Sequence, residues 1–150
     1  MHIITEDLWI ALPYPGMIVV TTNSTIKQNG ALVMGRGAAR QARDTIKGVD
    51  VECGTLITEY GQHYGFLEVR SPYRENKTGF GIFQVKHLYS DAAELNIISM
   101  AVAQLLKYIS HNPTVSIRMN YPGIGNGRLS RAQVEPFLKM LPDNVAICIK

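Results

Sequence analysis

The sequence predicts a single α/β domain: a mostly parallel sheet with helices on both faces, a three-layer α/β/α sandwich. Three observations carry that prediction. Short apolar runs alternate with stretches whose apolar residues recur every three or four positions, and strand–helix alternation builds parallel sheets. The chain has 150 residues, 46% apolar and 18% charged, enough for one core and one domain. The apolar run at 17–22 ends in a polar tip, then glycines, then a helical pattern, which is how α/β proteins present backbone N–H groups to a ligand. No repeat, linker or low-complexity tract divides the chain, so residues 1–150 are read as one unit.

Taken in order, His2-Ile3-Ile4-Thr5 reads as a short edge strand, and Asp7-Leu8-Trp9-Ile10 precedes the breakers Pro13 and Pro15-Gly16. Residues 17–22 form the first buried strand. Ala38 to Ile46 reads as a helix, with Ala39, Ala42 and Ile46 on one face and Gly48 as its stop. The 49–63 stretch is ambiguous: a loop with a short helix or strand. Residues 65–70 and 80–85 alternate around a turn at 74–79, a hairpin signal. Asp91 and Glu94 resemble a helix cap. Leu95, Ile98, Val102, Leu105, Leu106 and Ile109 give a helical stripe that Asn112-Pro113 stops. Residues 114–119 read as a strand. Ser130-x-x-Gln133 is a capping box for a helix to about Leu141, with Pro136 in its first turns or at a kink. Residues 145–149 close the chain as a buried strand.

Composition narrows the function classes. The net charge is +3, with lysines and arginines scattered, which favours an anionic ligand without demanding nucleic acid. The RNA-recognition signature, zinc-finger spacing and a basic helix are absent. No apolar run approaches the ~20 residues of a membrane span. The first residues lack the basic and apolar regions of a secretion signal, so a cytoplasmic location is expected. Cys53 and Cys148 have no metal-ligand spacing; they read as ordinary small residues, and neither a metal nor a cofactor is expected.

Two glycine loops carry the functional argument. The first follows Thr21-Thr22-Asn23-Ser24 and reads Val33-Met34-Gly35-Arg36-Gly37-Ala38-Ala39; the second reads Pro122-Gly123-Ile124-Gly125-Asn126-Gly127. Such loops cradle phosphates with backbone amides. Neither ends in the Gly-Lys-Ser/Thr of a Walker A loop. The first lacks the third glycine of the dinucleotide fingerprint.

The combination resembles the macro domain family, which binds ADP-ribose, over nearly the whole chain and in order. It is most similar to stand-alone macro domains of phages and bacteria, relatives of the terminal ADP-ribose protein glycohydrolase and of the DNA-ADP-ribosyl glycohydrolase antitoxins. The resemblance implies a mixed, mostly parallel sheet. It implies that Asp7, in Asp7-Leu8-Trp9, accepts from the adenine amino group, and that Asn23 after Thr22 reaches the distal ribose. It implies that Val33 to Ala38 contact distal ribose and diphosphate, and that Pro122 to Gly127 wrap the diphosphate. Phe83-Gln84-Val85-Lys86-His87 resembles the strand whose lysine reaches the anomeric carbon.

Hydrolytic removal of ADP-ribose from a protein or nucleic-acid adduct is the implied activity, with Lys86 and Asn23 at the distal ribose. Lys86 either attacks the sugar as a neutral amine or stays charged and holds the substrate; a water activated by a substrate phosphate oxygen is a third route. The glycohydrolase that forms a lysine adduct also uses an Asp in the second loop, where this sequence has Gly127; the antitoxin branch lacks that Asp too. Dephosphorylation of ADP-ribose 1″-phosphate and non-catalytic capture of ADP-ribose are the alternatives. Without the family, Asp7 reads as a solvated acid, Asn23 as a turn residue and Lys86 as a surface lysine.

Overall fold

The computed structural model describes residues 1–9, 15–60, 65–70 and 78–150. Among them the order is β1 (His2–Ile4), β2 (Met17–Thr22), α1 (Gly37–Thr45), α2 (Val49–Glu59), β3 (Phe66–Glu68), β4 (Gly79–Gln84), α3 (Leu95–His111), β5 (Ile117–Asn120), α4 (Arg131–Leu138) and β6 (Val145–Cys148). The strands form one six-stranded sheet in the order β1-β6-β5-β2-β4-β3. Every pairing is parallel except β3 with β4, where Leu67 lies opposite Ile82. The sheet is therefore mixed and mostly parallel, as expected.

Strand side chains alternate between two cores. Met17 and Val19 join Phe83, Val85, Met119 and Ile147 beneath α3 and α4. Ile18 and Val20 join Phe80, Ile82 and Cys148 beneath α1 and α2. Both faces of the sheet are covered, which gives the three layers. Central β2 is buried along nearly its whole length. The parallel strands point their carboxyl ends to one edge, where their following loops gather, as ligand-binding loops do in open α/β sheets.

Local chemistry explains where the elements start and stop. The Ser130 hydroxyl accepts from Gln133 N, and the Gln133 side chain returns to Ser130 N, completing the capping box at α4. Pro136 sits inside α4, which ends at Leu138, three residues short of the expected Leu141. The ambiguous 49–63 stretch contains helix α2, with Val49, Cys53 and Ile57 buried one turn apart. The cap expected from Asp91 and Glu94 does not form. Glu94 caps α3 without a side-chain bond, and Asp91 Oδ2 instead accepts from Leu88 N at 3.3 Å. Ile10, Pro13 and most of the 74–79 turn lie outside the described residues. Among the described residues, no helix is long and apolar enough to cross a membrane.

Candidate functional site

A cleft of about 690 Å³ opens at the carboxyl edge of the sheet. Its floor begins at the ends of β2 and β5. Thr21 N donates to Asn120 Oδ1 at 3.0 Å, and Asn120 Nδ2 donates to Thr21 Oγ1 at 2.8 Å, locking the two strand ends together. Thr22 lines the cleft with its Oγ1 buried and without a hydrogen-bond partner among the described residues. Asn23, 8% exposed, donates from Nδ2 to Val33 O at 2.9 Å and accepts at Oδ1 from Thr25 N at 3.0 Å. Val33 N closes the same loop onto Thr25 O at 2.9 Å. Asn23 thus spends half its capacity bracing its own loop; one N–H and one lone pair remain.

The first wall is the start of α1. Arg36 is the N-cap and supplies no side-chain bond, so the first-turn amides face the cleft without a capping oxygen. Gly37 has φ 59°, a left-handed conformation that a side chain disfavours. A Cβ built at Gly37 stands 3.6 Å from Asn126 Nδ2, so the two glycine loops, far apart in sequence, meet across one opening. The second loop tightens into a 3-10 turn over Gly125–Gly127, and Leu129 N bonds Gly123 O at 2.9 Å.

The third wall is the end of β4. Lys86 is 9% exposed, and its Nζ donates to Asp91 O at 3.1 Å. Its own carbonyl accepts from Ser24 Oγ at 3.1 Å, and Ser24 Oγ accepts from buried Gln84 Nε2 at 2.8 Å. Gln84 Oε1 in turn accepts from Gly65 N at 2.9 Å. His87 Nε2 turns to Glu94 Oε2, 3.2 Å away.

Charge in the cleft is one-sided. Arg36, Lys86 and Arg128 line it, and no Asp or Glu does among the described residues. Burial pushes the Lys86 ammonium below the ordinary lysine range. The positive charges of Arg128 and Arg36 push it the same way, and Asp91 opposes them. The arrangement suits an anion on the α1 terminus beside a lysine eased towards its neutral form. Among the described residues no three His, Cys, Asp or Glu side chains cluster as metal ligands.

No protein-family model matches the chain, and no curated protein does. Solved structures do. The macrodomain of Mycobacterium tuberculosis DarG superposes with a TM-score of 0.74 at 21% identity, over 98% of this chain and 95% of that one. Thermus aquaticus DarG gives 0.71 at 21%, over 99% and 97%. This chain has the macrodomain fold. Thermosipho africanus DarTG, solved with ADP-ribose, gives 0.73 at 18%, over 90% of this chain but only 38% of that longer one.

The macrodomain cleft gathers most of the residues singled out from sequence. Thr22, Asn23, Val33, Gly35, Arg36, Gly37 and Ala38 line it from the first side, Gly123, Ile124, Gly125, Asn126 and Gly127 from the second, and Lys86 from the third. Four do not line it. Leu8 and Met34 are buried in the core beneath α1 and α2, because both are apolar and point inward. Pro122 is buried behind its loop. Asp7 is exposed, and its Oδ1 accepts from Trp9 N at 2.9 Å. Arg118 fastens that segment from β5, donating to Glu6 Oε2 at 3.0 Å and Asp7 O at 2.9 Å.

Thr21, Ala39 and Val85 also line the cleft, inside the quoted motifs but with no contact assigned to them, and sequence reasoning did not reach Asn120, Tyr89, Ser90 or Arg128, which line it too. Asn120 carried a usable signal, a polar residue ending an apolar strand just before glycines, as Asn23 does. Tyr89 and Ser90 carried none, because the turn that presents them has no glycine and no motif.

Proposed function

We propose that this protein is a member of the macro domain family that binds ADP-ribose in the cleft and hydrolyses ADP-ribosyl adducts of protein or nucleic acid. One observation carries the reading: both glycine loops face one cleft that also holds a buried lysine. The α1 terminus and loop amides take the diphosphate; Asn23 offers its remaining donor and acceptor to the distal ribose. A similarly folded protein, Thermosipho africanus DarTG, was solved with ADP-ribose, which supports the choice of ligand.

In the chemical step the neutral Lys86 amine forms a bond to the anomeric carbon while the bond to the acceptor breaks. The acceptor leaves with the bonding pair and takes a proton from Nζ. Water then cleaves the new C–N bond, releasing ADP-ribose and restoring the amine. The test is calorimetry with ADP-ribose, followed by release of ADP-ribose from modified protein and modified DNA. Micromolar binding, about −8 kcal/mol, is expected. No heat at millimolar ligand would end the reading.

A second reading, capture without catalysis, is favoured by one observation: the lining holds no carboxylate base among the described residues. Binding with no release from either substrate would select it.

A further inference from the structure

We propose that Arg128 positions Lys86, by fastening the turn on which the lysine amine rests to the second glycine loop and by facing that amine with a second positive charge. The inference rests on the reading of Lys86 as a working amine.

The Lys86 amine rests on the Asp91 carbonyl at 3.1 Å. Asp91 closes a four-residue turn, with Asp91 N on Leu88 O at 3.0 Å and Leu88 N on Asp91 Oδ2 at 3.3 Å. Leu88 and Tyr89 are exposed, so hydrogen bonds rather than packing of these two side chains hold the turn in place. Tyr89 N reaches Thr25 Oγ1 at 3.0 Å on the β2 side. Across the cleft the second loop holds the same segment twice. Ala93 N donates to Gly127 O at 2.9 Å, and Arg128 Nη2 donates to Ser90 O at 3.3 Å. Lys86 and Arg128 therefore bond successive carbonyls, Asp91 O and Ser90 O, of one turn.

The backbone of Arg128 indicates that the side chain is wanted there. Its φ is 64°, and it is the one non-glycine residue with positive φ among the described residues. A glycine would relieve that strain, in a loop already rich in glycine. Gly127 supplies the complement. A Cβ built there falls 3.0 Å from the Ala93 Cβ, so an aspartate at this position would need loop and segment to part by a few tenths of an ångström. Where an acid would hold a lysine charged, this chain places a close backbone contact and then a cation.

The groups around the amine are Arg128 from the second loop, Arg36 from the first and Asp91 from the turn, with His87 paired to Glu94 alongside. Removing one cation of the two leaves Asp91 with the larger say, so the amine holds its proton to higher pH. Arg128→Gln keeps donors and removes charge; Arg128→Lys keeps charge.

The experiment compares these two variants with the wild type in the unliganded protein. The first readout is the pH dependence of Lys86 acylation by acetic anhydride, followed by peptide mass spectrometry. The midpoint moves up in Arg128→Gln and returns towards wild type in Arg128→Lys. Coincident midpoints in all three proteins overturn the proposal, whatever the protein's substrate. The second readout is turnover of ADP-ribosylated substrate. In Arg128→Gln, kcat falls roughly three- to tenfold at neutral pH and recovers at higher pH, with KM within about twofold. A raised KM with an equal loss at every pH makes Arg128 a substrate contact and also overturns it. A midpoint that shifts in Arg128→Gln while the wild type turns nothing over removes the hydrolase reading and leaves the positioning of the Lys86 amine supported.

Discussion

Asn23 and Lys86 stand just beyond the ends of neighbouring parallel strands, are about equally buried, and line the same cleft. Their surroundings differ. The Asn23 amide is tied at both ends to its own loop, at Thr25 N and Val33 O. The Lys86 amine meets one carbonyl and two positive neighbours. One polar group spends half its bonds shaping the wall; the other is held in surroundings that resist its charge. A buried polar residue at a strand end is thus a brace or a reactive group according to its partners, and residue type alone does not say which.

The largest expected effect separates the pair by activity. Lys86→Ala lowers release of ADP-ribose on the order of a hundredfold or more, because it removes both the nucleophile and the proton for the leaving group. ADP-ribose affinity, measured by calorimetry, changes little, since the proposed binding mode rests the diphosphate on backbone amides. An unchanged rate would return Lys86 to the role of a strand-end filler.

Asn23→Ala is expected to act on stability first. It strands the Thr25 N–H and the Val33 carbonyl, at a cost of about 1–3 kcal/mol. For a chain of this size, roughly 2–4 °C of melting temperature is lost per kcal/mol. Calorimetric melting checks this. A variant that melts like the wild type but no longer binds would leave Asn23 its ligand contact and remove the bracing role.

Gly37→Ala tests the shared opening at a smaller scale. The left-handed backbone costs about 1 kcal/mol with a side chain, and the new methyl enters the gap before Asn126. ADP-ribose affinity should fall a few-fold. Equal affinity in the two proteins would mean that ligand does not pass between the loops.

Much of this was legible in the sequence, for identifiable reasons. The sheet was readable because β2 and β6 are apolar runs that begin just after proline breakers, and α3 because its stripe keeps a strict helical period. The two glycine loops were readable because tight turns at strand ends need few residue types. Helix α2 was not. Gly54 interrupts its pattern, and the Val49–Cys53–Ile57 spacing is short and mixed with polar residues. The third wall was legible only at Lys86. Tyr89, Ser90 and Arg128 come together through long-range contacts, among them Ala93 with Gly127 and Ser90 with Arg128, that no local pattern announces.

The smallest effect is the finest test of the contrast. In the native protein Lys86 releases its proton at lower pH than in the unfolded chain, whose ordinary value is 10.5. Below the native titration both states hold the proton, and the native state carries the full cost of a desolvated ammonium. As pH rises through the native value towards 10.5, the unfolded chain holds more protons, so stability rises. Methionine has no proton to lose. The difference in unfolding free energy between wild type and Lys86→Met therefore moves in favour of wild type over that window and stays level beneath it. Asn23→Ala changes no titrating group, so its difference stays flat throughout. Urea melts at a series of pH values give both curves. A flat curve for Lys86→Met as well would place the amine in water-like surroundings, and the two strand ends would then be braces of the same kind.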